Sequence, residues 1–155
     1  SINYIAAEYL SNSEKEITLI TNMPSITTHF NKNSKVDIIM IGGEYNKKVG
    51  GNVGSEAINY IKRYNVDKAF IGSAGIDLEA EKVMNFELND GNTKKEIMKI
   101  SKKIFLVTEY KKLGILGSYK FSNLSDFDVF ICEKDKKDYL ENYKKIFDEC
   151  EVKII

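Results

Sequence analysis

The chain has little of what many enzymes depend on. A single histidine, His29, stands in 155 residues. A serine or cysteine triad would need that one side chain in the right place, and histidine-rich metal sites are excluded by the same count. Only two cysteines occur, Cys132 and Cys150, without the close C-x-x-C spacing of zinc or redox sites. Reduced, buried thiols in a cytoplasmic protein are expected. Neither G-x-G-x-x-G nor G-x-x-x-x-G-K-[ST] appears, so neither a Rossmann-bound dinucleotide nor a P-loop nucleotide is expected. Charge of one sign is not in excess, with 23 basic residues against 23 acidic, and the positive field that draws proteins to nucleic acid or membrane surfaces is missing. No apolar stretch approaches the roughly 18 residues of a membrane-spanning helix, and the first residues do not read as a signal peptide, which predicts a soluble chain.

What is present is an alternation of short apolar runs with helical patterns. Ile2, Ile5, Ala6 and Tyr9 recur at helical spacing, and Ile17 to Thr21 reads as a strand. Asn22 is placed to cap a following helix whose first turn takes Pro24, with Ile26 and Phe30 as an apolar pair. Val36 to Ile41 is a second strand, followed by a glycine-containing loop from Gly42 to Gly54 and a helix carrying Ala57, Ile61 and Tyr64 on one face. Val66 to Ile71 reads as a strand buried on both faces that stops abruptly in Gly72-Ser73-Ala74-Gly75-Ile76-Asp77, a tight ligand loop. Residues 78 to 89 show little periodicity. Thr93 and Glu96 form a capping-box pattern, which predicts a helix beginning near Thr93. Lys103 to Thr108 and Asp128 to Cys132 are further strands, a last helix buries Leu140, Tyr143 and Phe147, and Val152 to Ile155 closes the pattern. Strands separated by helices predict an α/β domain with a mostly parallel sheet, three layers deep, in which ligands gather at the carboxyl ends of the strands.

Four segments in order carry a resemblance to a known family. Thr21-Asn22 follows the first strand, Gly42-Gly43 the next, Val53-Gly54-Ser55-Glu56-Ala57 opens a helix, and Asp67 to Asp77 spans a strand and its loop. Together they resemble the C-terminal sensor domain of the DeoR family of bacterial transcriptional regulators, over most of the chain. Two family segments stand in altered form. An acidic helix start followed by a lysine falls on Asp90 to Lys94, with Asn92 in place of the second acid; the usual Asp-Ser-Ser-Lys-Phe-Gly becomes Glu109-Tyr110-Lys111-Lys112-Leu113-Gly114.

The resemblance implies a fold related to ribose-5-phosphate isomerases and CoA transferases, and phosphorylated sugars as ligands. It implies no enzyme and no cofactor. The effector site implied is Thr21, Asn22, Gly72, Ser73, Gly75, Asp77, Lys94 and Lys112. Backbone N–H groups at Gly72 and Gly75 would approach sugar or phosphate oxygens, Asp77 would accept from hydroxyls, and Lys94 and Lys112 would meet phosphate. A tight structural turn is the alternative for the glycines, and capping the alternative for Asn22.

Full members of the family carry an N-terminal winged helix-turn-helix and then a strand ending in an Asp-x-Gly-Thr-Thr type loop. The chain is expected to be a single sensor domain, residues 1–155, starting just after that loop, homo-oligomeric, and meeting operator DNA only through the domain ahead of it. Repression of a sugar operon, often one of a phosphotransferase system, is the role implied. Two other readings remain: a sugar-phosphate isomerase, which would need more carboxylates than Asp77 at this loop, and a structural oligomerisation domain with a vestigial pocket.

Overall fold

The computed structural model describes residues 2–133 and 137–155. The apolar runs form the parallel strands expected of them. β1 (Ile17–Thr21) pairs in parallel with β2 (Val36–Met40), Ile17 opposite Val36 and Thr21 opposite Met40. A second parallel sheet has the order β11-β10-β8-β5, built from β5 (Val66–Ile71), β8 (Ser101–Val107), β10 (Val129–Ile131) and β11 (Lys153–Ile154). The molecule is therefore α/β with a four-stranded parallel sheet and flanking helices, as the alternation predicts.

Helices connect these strands. α1 (Ile2–Ser11) precedes β1, α2 (Ser55–Ile61) precedes β5, and α3 (Leu88–Lys99) leads into β8. The apolar stripe read on α1 is not its buried face: Ala7 is buried while Ile5 and Tyr9 are exposed, and the side chain of Ile2 lies outside the described set. The single final helix is two short ones, α4 (Lys137–Glu141) and α5 (Lys144–Glu149), with Leu140 and Phe147 buried as expected and Tyr143 at the joint.

Three further departures have identifiable causes. The loop from Gly42 to Gly54 contains a hairpin, β3 (Glu44–Asn46) against β4 (Gly51–Val53). Residues 75–85 form another, β6 (Gly75–Asp77) against β7 (Lys82–Asn85), which β9 (Tyr119–Asn123) extends to three antiparallel strands. Strands this short show too few alternations to be told from loop. Helix α3 starts at Leu88, well ahead of Thr93, and Thr93 Oγ1 donates back to the Asn89 carbonyl at 2.8 Å from inside the helix. Glu96, the other half of the expected capping box, instead holds Lys99 at 3.1 Å. Asn22 caps nothing, because the segment after it is a 3-10 turn, Pro24–His29, entered from Met23. Its amide donates across to the Asn52 carbonyl at 2.9 Å, while the Asn52 N–H donates to the Asn22 carbonyl at 2.7 Å, locking the end of β1 to β4.

β5 is covered on one face only. Ala69 and Ile71 are buried, whereas Phe70 is 46% exposed and stacks on Phe105 of β8 with ring centroids 4.9 Å apart. The covered face joins the main core, where Phe130 and Phe147 meet at 4.7 Å beside Leu106, Phe121 and Leu124. The antiparallel sheet contributes Ile76 and Val83 to the same core, so the two sheets fold as one body. Among the described residues, β1 pairs only with β2 and β5 only with β8, leaving one edge of each unpaired.

Close packing requires glycine at Gly43 and Gly75, among other positions. Gly43 has φ +128°, and a Cβ there would lie 2.9 Å from the Ala57 Cβ of α2. At Gly75 a Cβ would fall 2.2 Å from the Ile115 carbonyl oxygen, so the 115 segment lies directly on the β6 backbone. Gly75→Ala is expected to destabilise the fold by about 1–3 kcal/mol, because main chain and not a side-chain tip must move. A denaturant melt superimposable on that of the unmodified protein would refute this packing account.

Candidate functional site

The carboxyl ends of β1, β5 and β8 converge on a cavity of about 230 Å³. Asn22 and Met23 follow β1, Gly72 and Ser73 follow β5, and Thr108, Glu109 and Lys112 follow β8; Asp90 and Lys94 project from the first half of α3, and Gly51 comes from the β3–β4 hairpin. Convergence of this kind follows from parallel strands, whose ends point the same way and leave a crevice outside the sheet. The volume is below the roughly 300–1,000 Å³ of drug-sized ligand sites.

Two ammonium groups face this space, each with a different partner. Lys94 Nζ lies 2.7 Å from Asp90 Oδ2, with its side chain only 20% exposed, and 5.8 Å from the centroid of the Phe121 ring. Asp90 in turn accepts from Asn85 Nδ2 at 2.7 Å, so its buried carboxylate is shared between an amide and an ammonium. Lys112 Nζ donates to the neutral Ser73 carbonyl at 3.0 Å, bridging the loops after β5 and β8. Below it, the buried hydroxyls of Ser73 and Thr108 lie 3.4 Å apart. At the rim, Lys111 bonds Glu109 at 2.5 Å and holds its carboxyl below the usual carboxylate range. The Tyr110 N–H donates to Glu133 Oε2 at 2.8 Å, fixing the 3-10 turn Tyr110–Lys112 that carries Lys112.

Of the eight residues singled out from the sequence, the fold brings Asn22, Gly72, Ser73, Lys94 and Lys112 to the cavity wall. It does not bring Thr21, Gly75 or Asp77 there. Thr21 Oγ1 accepts from the Met23 N–H at 3.1 Å, shaping the exit from β1. Gly75 lies under the Ile115 carbonyl, and Asp77 Oδ1 accepts from the Ala80 N–H at 3.0 Å in the turn between β6 and β7. The sequence reading set the Glu109 to Lys112 segment at the crevice but passed over Asp90 and Thr108 as lining residues and Asn85 behind them. Asp90, four residues before Lys94 on a helix, was the one legible through its spacing.

No group of three or more His, Cys, Asp and Glu side chains able to hold a metal ion occurs among the described residues. No helix among them is long and apolar enough to cross a membrane.

Comparison with known proteins identifies the family. Residues 1–134 match the family model described as the DeoR C terminal sensor domain. The chain is similar to the HTH-type transcriptional repressor GlcR of Bacillus subtilis (strain 168), 27% identical over 119 residues that cover 77% of this chain and 45% of the relative. It is similar also to the Glycerol-3-phosphate regulon repressor of Escherichia coli (strain K12), 23% identical over 117 residues, 76% of this chain and 46% of the relative. A third relative, an uncharacterized HTH-type transcriptional regulator of Haemophilus influenzae, is 30% identical over 122 residues, 79% of this chain and 47% of its own length. The chain thus spans about half the length of the curated relatives it matches. These relatives are named as regulators, and with the family a sensor family the isomerase alternative is set aside. The match over residues 1–134 carries the conclusion: the chain belongs to the DeoR C-terminal sensor domain family.

Proposed function

We propose that this domain binds a phosphorylated sugar or polyol in the cavity at the ends of β1, β5 and β8, and that its occupancy governs a bacterial transcriptional repressor acting in the cytoplasm. The observation that carries the reading is the placement of both Lys94 and Lys112 in the lining of one 230 Å³ space, together with Ser73 and Thr108, whose hydroxyls lie 3.4 Å apart. Ammonium groups meet a phosphate as point charges, and hydroxyls and main-chain N–H groups suit a polyol. A relative's name, the Glycerol-3-phosphate regulon repressor, points to the same ligand chemistry.

Operator contact belongs in this reading to an N-terminal helix-turn-helix outside the 155 residues. The chain's balance of 23 basic and 23 acidic residues supports that division, since a DNA reader needs a basic face. Regulation requires only that the effector bind the DNA-competent and DNA-incompetent arrangements with different affinity.

Calorimetric titration of the full-length protein with phosphorylated pentoses, phosphorylated hexoses and glycerol 3-phosphate tests the proposal. At least one is expected to bind with measurable heat, and the unphosphorylated counterpart to bind far more weakly. Silence across the panel would sink the reading.

A further inference from the structure

Helix α1 also reaches the cavity. Tyr4, in its first turn, lines the space along with Met23 beyond the end of β1. Among the described residues Tyr4 and Phe70 are the two aromatic members of the lining, and they are held in different ways. Phe70 belongs to β5 and is stacked on Phe105 of β8, so its position is that of the sheet. Tyr4 comes from a helix with a light hold on the body: Ala7 is buried, but Ile5 and Tyr9 are exposed.

The position of the Tyr4 ring is set from outside its own helix. Its hydroxyl is hydrogen-bonded to Ser25 Oγ, and its ring centroid lies 6.3 Å from that of His29, with the planes at 55°. Both partners stand on the 3-10 turn Pro24–His29, which is entered from Met23 and buries Ile26. The Phe30 N–H closes that turn on the Thr27 carbonyl at 3.1 Å. The ring is therefore braced against the segment that leaves β1, and moving it out of the lining costs the bond to Ser25. A tyrosine has few side-chain torsions to freeze, so one such brace makes it a rigid wall.

We propose that Tyr4 is the specificity-determining residue of this cavity, a wall that admits phosphorylated trioses and pentoses and disfavours hexose phosphates. The assignment rests on the effector reading above and deepens it by naming the size of ligand. Discrimination is a difference of affinities, and a clash with the larger ligand serves as well as a better contact to the smaller. At about 230 Å³ the space is small for a ligand site. With a phosphate at Lys112 or Lys94, the carbon chain must lie along uncharged lining, and Tyr4 is the aromatic group there that the sheet does not build in. Its truncation widens the space without removing a core side chain, since the ring is only partly buried.

Calorimetry on the full-length protein with glycerol 3-phosphate, ribose 5-phosphate and glucose 6-phosphate tests the assignment. The parent should bind one of the two smaller phosphates at least about tenfold more tightly than glucose 6-phosphate. Tyr4→Ala should shrink that ratio at least about fivefold, through a gain for the hexose phosphate. Tyr4→Phe keeps the ring and should keep the preference for the smaller ligand. A merely structural role for Tyr4 would weaken all three ligands by one factor and leave the ratio unchanged, and that result overturns the assignment while the effector reading stands. A parent that prefers glucose 6-phosphate overturns it too. So does a parent that binds none of the three, and the wider panel then decides the effector reading itself.

Discussion

Lys112→Ala is expected to weaken effector binding by roughly tenfold to a hundredfold, the loss of a charge-assisted contact to a phosphate. The loss should exceed that of Lys94→Ala. Lys112 Nζ rests on a neutral carbonyl, that of Ser73, so its charge is available to an arriving anion. Lys94 Nζ lies 2.7 Å from the Asp90 carboxylate, which offsets much of its field and would repel the same phosphate. Calorimetry with whichever panel member binds the parent protein measures both variants. An unchanged affinity for Lys112→Ala would remove phosphate from this wall of the cavity, and a larger loss at Lys94 would overturn the charge-balance argument.

Phe130→Ala should be the most damaging core truncation. The ring is fully buried, on the inner strand β10, with Leu106 as its neighbour on β8 and the Phe147 ring 4.7 Å away. Removing it leaves a cavity between a sheet and a helix that are both anchored elsewhere, and the expected loss is about 3–5 kcal/mol. That is a large part of the ~5–15 kcal/mol by which domains are usually stable. For a chain of this size it corresponds to a fall in melting temperature of roughly 6–20 °C. Urea denaturation followed by circular dichroism gives the value, and a loss below about 1 kcal/mol would mean that α5 collapses into the space.

The parallel strands were legible in the sequence through short apolar or β-branched stretches closed by a small or polar residue, as in Ile17 to Thr21 and in Ala69 to Ile71 ahead of Gly72. The hairpins were not. Glu44-Tyr45-Asn46 and Gly51-Asn52-Val53 form strands because they find each other and the Asn22 clamp, not because of any periodicity of their own. The early start of α3 was hidden for a similar reason. Leu88-Asn89-Asp90-Gly91 contains poor helix formers, yet a Cβ on Gly91 would sit 2.7 Å from the Tyr119 ring, so the tight fit of helix on β9 decides the matter.

At the site, the motif order picked out segments of which those after β1, β5 and β8 line the cavity, and packing decided which of their residues face it. Gly75 and Asp77 sit in the same loop as Ser73, but the turn into β6 carries them away from the cavity. Asn85 and Thr108 had no signal in the sequence, since an amide at a strand end and a hydroxyl after a strand acquire meaning only from what lies opposite. The exposed ring of Phe70 was equally invisible, because a run of six residues between turn signals reads alike whether one face of the strand is covered or both.

The unpaired margin of β1 has a practical side. Ile17-Thr18-Leu19-Ile20-Thr21 contains no charge and no proline, so it has none of the guards by which natural edge strands refuse to template others. β5 has Asp67 and Lys68 near its start and is better defended. Handled alone at high concentration, the 155-residue chain should begin to aggregate at β1. A charged residue introduced on that strand would be the first remedy for a preparation that clouds on storage.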